Sequence, residues 1–95
     1  MTPVVLSDRA RLDLEEIWAD IALVPPEVAD RVLLRLEAAC RGLGAFPESG
    51  RVRRSGGVTV RSVPCQSWVI LYRVAQAGVE VLRVVHAARD VDRLL

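Results

Sequence analysis

Residues 67–90 read S-W-V-I-L-Y-R-V-A-Q-A-G-V-E-V-L-R-V-V-H-A-A-R-D. Two runs rich in β-branched residues flank a short break at residues 75–78, and the stretch closes on the polar group His86, Arg89 and Asp90. The pattern predicts strands over 67–74 and 79–86, joined as an antiparallel hairpin. With Val74 opposite Val79, direct pairing would put Tyr72–Val81, Ile70–Arg83 and Trp68–Val85 on one face. Arg73–Glu80, Leu71–Leu82, Val69–Val84 and Ser67–His86 would share the other, because cross-strand partners lie on the same face. Both faces come out largely apolar, as in strands covered on two sides.

Upstream, residues 3–6 form a short apolar run headed by Pro3, which suits an edge strand. Ser7 reads as an N-cap with Asp8 in the first turn, where a carboxylate favours the helix dipole. Ala10, Leu14, Ile17, Trp18 and Ile21 recur at three- and four-residue intervals and predict an amphipathic helix, with Arg9, Asp13, Glu16 and Asp20 on its polar side. Trp18 belongs to the core side of that stripe. Pro25 and Pro26 stop the helix and can open a second one. Ala29, Val32, Leu33, Leu36, Ala39, Cys40 and Leu43 make its apolar stripe, which ends near Gly42 or Gly44. So short a connection makes the two helices antiparallel neighbours.

Residues 46–57, F-P-E-S-G-R-V-R-R-S-G-G, read as a loop on their Pro and Gly content, and Arg51, Arg53 and Arg54 make it the most basic segment. It is either a solvated loop or a contact for nucleic acid or an acidic partner. A strand over 58–63 follows, broken by Pro64. Two helices cover one face of the resulting four-stranded sheet. The other is expected to stay open or to lie under the tail, residues 87–95, and an open apolar face marks a binding surface.

Composition narrows the function classes. Ninety-five residues, 52% of them hydrophobic, suit a single domain over 1–95 and argue against disorder. No apolar run approaches the roughly 20 residues that span a bilayer, and residues 1–9 lack the basic-then-apolar order of a signal peptide. A cytoplasmic protein without a membrane partner is the expectation. Cys40 and Cys65 have neither metal-ligand nor disulfide-framework spacing, and Cys40 falls on an apolar helix face as a small buried side chain. The net charge of +1 conceals an asymmetry: residues 1–48 balance at −4 and residues 49–95 at +5. Lysine is absent, so His86 and the carboxylates are the groups able to move protons near neutral pH. One histidine with scattered carboxylates makes no metal-ligand set, and no cofactor is expected.

The segments S-D-R-A-R-L-D-L-E-E-I-W at 7–18, P-E-V-A-D-R at 26–31 and F-P-E-S-G-R at 46–51 resemble the ParE branch of the RelE/ParE toxin superfamily. So do V-R-S-V-P at 60–64, W-V-I-L-Y-R-V at 68–74 and V-E-V-L-R-V-V-H-A-A-R-D at 79–90. The resemblance covers almost the whole chain. It implies an α+β fold, β-α-α-β-β-β, with a helical hairpin on a mostly antiparallel sheet. It also implies a type II toxin, neutralised by a cognate antitoxin whose C-terminal segment wraps it in a hetero-oligomeric complex. ParE-like toxins are associated with DNA gyrase inhibition, growth arrest and plasmid stabilisation, and DNA would be reached only through antitoxin or gyrase. RelE-like relatives instead cleave mRNA on the ribosome.

Cleavage through a 2′-hydroxyl needs a proton acceptor, a cation for the developing charge and an acid for the leaving oxygen. RelE-like nucleases meet this with clustered Lys and Arg plus a Tyr, His or Glu. Here lysine is missing, arginine is too basic to transfer protons, and Val69 corresponds to a strand arginine of those nucleases. Tyr72 reads as core, which leaves His86, with Glu48 the one upstream loop carboxylate to pair with it. The expected function is therefore a gyrase-inhibiting toxin that is not an enzyme. A ribosome-dependent endoribonuclease is the alternative, and a non-toxic antitoxin-binding module a third reading. Candidate target or antitoxin contacts are Arg61, Val69, Leu71, Arg73, Leu82, Val84, His86, Arg89 and Asp90. Arg73 can instead pair with Glu80, and Arg89 with Asp90 as a cap on the tail.

Overall fold

A computed structural model describes residues 2–21, 25–55 and 57–87. Its elements are β1 (Val4–Leu6), α1 (Asp8–Ile21), α2 (Pro26–Gly42), β2 (Arg51–Ser55), β3 (Val58–Cys65), β4 (Trp68–Ala75) and β5 (Gly78–His86). The sheet order is β1-β5-β4-β3-β2. β1 runs parallel to β5, and every other neighbour is antiparallel. The expected α+β class and the helical hairpin on a mostly antiparallel sheet hold. Among the described residues the sheet has five strands, one more than the local patterning indicates. Residues 51–55, read as loop on the Pro and Gly content of residues 46–57, form the edge strand β2. Charged side chains on an edge discourage pairing with other chains, so Arg51, Arg53 and Arg54 suit that position.

Ser7 turns the chain from sheet to helix. Its N–H donates to Val81 O at 2.9 Å, its hydroxyl donates to Leu82 O at 2.9 Å, and that hydroxyl oxygen accepts the Ala10 N–H at 3.0 Å. The last bond is the N-cap expected from the sequence. Pro26 opens α2 at its first position, where a missing N–H is harmless. β3 runs on through Pro64, which pairs with Val69 of β4 beyond the Arg51–Ser62 end of β2. A proline is tolerated there because no strand needs its absent N–H.

The helices and one sheet face enclose the main core, with Ala10, Leu14 and Leu36 packed against Ile70, Tyr72 and Val81. Cys40 is part of this core, as expected. Burial, with Cys65 and Glu37 nearby, pushes its thiol up to about 11, so it stays protonated as a small apolar side chain.

The β4–β5 ladder departs from direct pairing. Val74↔Val79, Arg73↔Glu80 and Tyr72↔Val81 match the expected register; a bulge then intervenes and the remaining pairs are Leu71↔Arg83, Ile70↔Val84, Val69↔Val85 and Trp68↔His86. The pairings expected beyond Tyr72 are therefore off by one. An extra residue in one strand moves every later side chain to the opposite face. Val84 thus joins Ile70 in the helix-side core, and Val85 joins Val69 and Leu71 on the far side. Direct pairing would have set Arg83 beside Ile70, a charge on an apolar face.

Asp13, assigned by helical periodicity to the polar side of α1, is 4% exposed. Its carboxylate accepts Val84 N–H at 2.9 Å and Arg83 Nε–H and Nη2–H at 2.8 and 3.2 Å. Arg9 Nε lies 3.2 Å from its second oxygen. Removing one member of a buried pair strands the other, at a cost of about 3–5 kcal/mol. Asp13→Ala is expected to lower the unfolding free energy by about 3 kcal/mol. Glu80→Ala, which breaks the exposed Arg73 pair, should cost below about 1 kcal/mol. Urea denaturation of both variants checks the contrast.

Candidate partner interface

Two surfaces flank the core. Along the outer seam of α1 and α2 runs a cleft of about 560 Å³ lined by Leu6, Leu14, Trp18 and Leu33, with Arg11, Glu15 and Glu37. Leu6, Arg11 and Glu37 also line a second hollow of about 340 Å³ that reaches Val4 and Val5. The groove therefore continues to β1, whose outer edge has no strand partner among the described residues. Trp18, expected in the core, is 38% exposed because its indole N–H donates to Asp30 Oδ1 at 3.1 Å across the helix seam.

The far face of the sheet is not the open apolar surface expected. Val69, Leu71 and Val85 are 8%, 2% and 6% exposed. Of the tail offered as an alternative cover, only Ala87 falls among the described residues. Val69 and Leu71 form a small buried cluster with Val85. Val84, grouped with them in the direct register, lies in the helix-side core at 2% exposure. Leu82, partly buried, lies in β5 beside the bulge, and its carbonyl receives the Ser7 hydroxyl.

The polar candidates separate. Arg73 Nε donates to Glu80 Oε1 at 2.7 Å, the cross-strand pair considered from the sequence. Arg61 Nη1 donates to Glu48 O at 3.0 Å and Gly50 O at 2.9 Å, so it anchors the 46–50 turn. His86 is exposed and meets Trp68 edge to face, with ring centroids 6.3 Å apart and an interplanar angle of 80°. Arg89 and Asp90 lie outside the described residues.

His86 and Glu48 are not brought together. His86 pairs with Trp68, whereas the Glu48 backbone is held by Arg61, which pairs with Tyr72. Trp68 and Tyr72 are four residues apart in β4, about 13 Å along a strand.

Tyr72 has a role that reading it as core alone misses. It is fully buried, its hydroxyl donates to Pro47 O at 2.9 Å, and the same hydroxyl's oxygen accepts the Gly50 N–H at 2.8 Å. A Cβ at position 50 would fall on this hydroxyl, so F-P-E-S-G-R needs its glycine for close approach. Tyr72→Phe leaves a buried N–H and C=O without that partner and is expected to cost about 1–3 kcal/mol. Faster hydrogen exchange at Gly50, with the sheet interior unchanged, would be its local signature.

A family model described as the ParE toxin of the type II toxin–antitoxin system parDE matches residues 4–91. A protein named Toxin RelE2 from Caulobacter vibrioides is 39% identical over 90 residues, covering 94% of this chain and 99% of its own. The fold is shared with a chain from the chromosomal ParDE toxin–antitoxin system of P. aeruginosa, with a TM-score of 0.76 at 22% identity. A chain of the toxin–antitoxin complex RelBE2 from Mycobacterium tuberculosis gives 0.62 at 26%. Both likenesses cover 90% of this chain and 96% of the other.

Proposed function

The chain belongs to the ParE toxin family of type II toxin–antitoxin systems, and from that membership we propose that it inhibits DNA gyrase in the cytoplasm and is held inactive by a cognate antitoxin. The observation that carries the gyrase reading is the separation of His86 from Glu48. The acid–base pair that the sequence offered for RNA cleavage is anchored at ladder positions four residues apart along β4, about 13 Å. Absence of lysine and the apolar Val69 point the same way. Inhibition by binding requires no proton transfer from this chain.

The groove along α1 and α2 is the antitoxin's site in this reading. Its apolar floor and charged rim suit the apolar face of an amphipathic helix, and the outer edge of β1, unpaired among the described residues, suits an extended continuation. Trp18 is a partly exposed aromatic in that groove, the residue type that dominates binding energy. Trp18→Ala is expected to weaken antitoxin binding by about tenfold or more, read by titration calorimetry and by lost rescue on co-expression.

Ribosome-dependent mRNA cleavage is the second reading, favoured by identity to a relative named RelE2. Purified chain added to a gyrase supercoiling assay and to translating ribosomes separates the two. Inhibited supercoiling with intact mRNA is expected; cleaved mRNA with unaffected supercoiling would overturn the gyrase assignment.

A further inference from the structure

The turn that Tyr72 and Arg61 hold displays an apolar side chain instead of burying it. Phe46 is 72% exposed, the most exposed large hydrophobic residue among those described. Its carbonyl accepts the Ser49 N–H at 3.1 Å, and the turn is pinned below by the Tyr72 hydroxyl and the Arg61 guanidinium. Phe46, Pro47, Glu48, Ser49 and Val74 line a shallow cleft of about 450 Å³. Register places more of the same surface beside it. Val52 pairs with Arg61 and Arg61 with Tyr72, so these share a face, and strand alternation adds Arg54 and Val74 to it. Val52 and Val74 are about half exposed. Arg54 is exposed and has no hydrogen-bond or ion-pair partner among the described residues. Arg61 bonds only to carbonyls there, so neither guanidinium is neutralised by a carboxylate.

A side chain exposed at random gains nothing from a rigid mount. A contact residue does, because an ordered turn loses little conformational freedom on association. We propose that this end of the helix-side face, centred on Phe46 with Val52, Val74 and Arg54, is where the chain grips its protein target. The matching segment of that target is acidic and seats an apolar side chain in the Phe46–Val74 cleft. The charge follows from two guanidinium groups facing the single carboxylate of Glu48 in this patch. The patch shares no lining residue with the α1–α2 groove, so target and antitoxin occupy different ground. Single-stranded nucleic acid is the weaker fit: the patch offers one aromatic platform, and the chain carries a net charge of only +1.

The identity of the target rests on the gyrase reading; the place of the surface does not. The test is the Phe46→Ala/Arg54→Glu double variant, with Phe46→Tyr as the conservative control. Each is assayed for growth arrest on induction, for inhibition of purified gyrase, and for its thermal unfolding midpoint. We expect an unchanged midpoint, a half-inhibitory concentration raised about tenfold or more, and relieved arrest, with Phe46→Tyr near wild type. Undiminished arrest by the double variant overturns the surface. Relieved arrest alongside a wild type that spares gyrase keeps the surface and discards gyrase. A wild type that arrests nothing overturns both. Binding of a single-stranded 20-nucleotide probe that only the double variant loses, with protein capture unaffected, overturns the protein partner.

Discussion

The fold turns on one carboxylate at the edge of a strand. β1 stops pairing at Leu6↔Val81, because Ser7 leaves the sheet to start α1. The outer edge of β5 beyond Val81 would then present a buried donor to the core. Asp13, on the second turn of α1, accepts that Val84 N–H and also holds Arg83 and Arg9. A buried ion pair adds little net stability over an apolar replacement, since desolvation offsets the attraction. Its leverage is on alternatives: any slip of α1 along β5 leaves a buried charge alone. Among the described residues, no buried side-chain nitrogen or oxygen lacks a partner.

The bulge between the two halves of the β4–β5 ladder works with that carboxylate. It turns Val84 toward the helices and presents its N–H where Asp13 waits. On the far side it gathers Val69, Leu71 and Val85 into a small second core. One inserted residue thus decides which valine of β5 joins each cluster, Val84 on the helix side and Val85 on the far side. The apolar side chains in the middle of the sheet, Val69, Leu71, Val84 and Val85, are buried, and the exposed ones lie at its margins.

Two margins stand out, and they differ in construction. The α1–α2 groove is long and apolar at its floor, and it ends on the outer edge of β1, which pairs with no strand among the described residues. The Phe46 turn is compact, and buried hydrogen bonds hold it from beneath. The first suits a segment that orders as it binds, because a long groove returns the ordering cost over many contacts. The second suits a partner that is already folded. A toxin that must be both silenced and active benefits from keeping these surfaces apart.

Much of this was legible in the chain. The Ser7 cap, the proline start of α2, the apolar stripes and the two central strands are local events, governed by periodicity and backbone chemistry over a few residues. The cross-strand Arg73–Glu80 pair was also visible, because it follows from register near the turn. Three features were not. R-V-R-R-S reads as loop because it lies in a Pro- and Gly-rich segment, whereas its strand depends on pairing with β3. Asp13 reads as solvent-facing because its partner lies 70 residues away. The bulge leaves a trace in sequence only as Arg83 falling on an apolar face. Element type is set by interactions within a few residues. Register, edge position and the burial of a charge depend on which distant strand or helix arrives alongside, and only the assembled tertiary structure decides them.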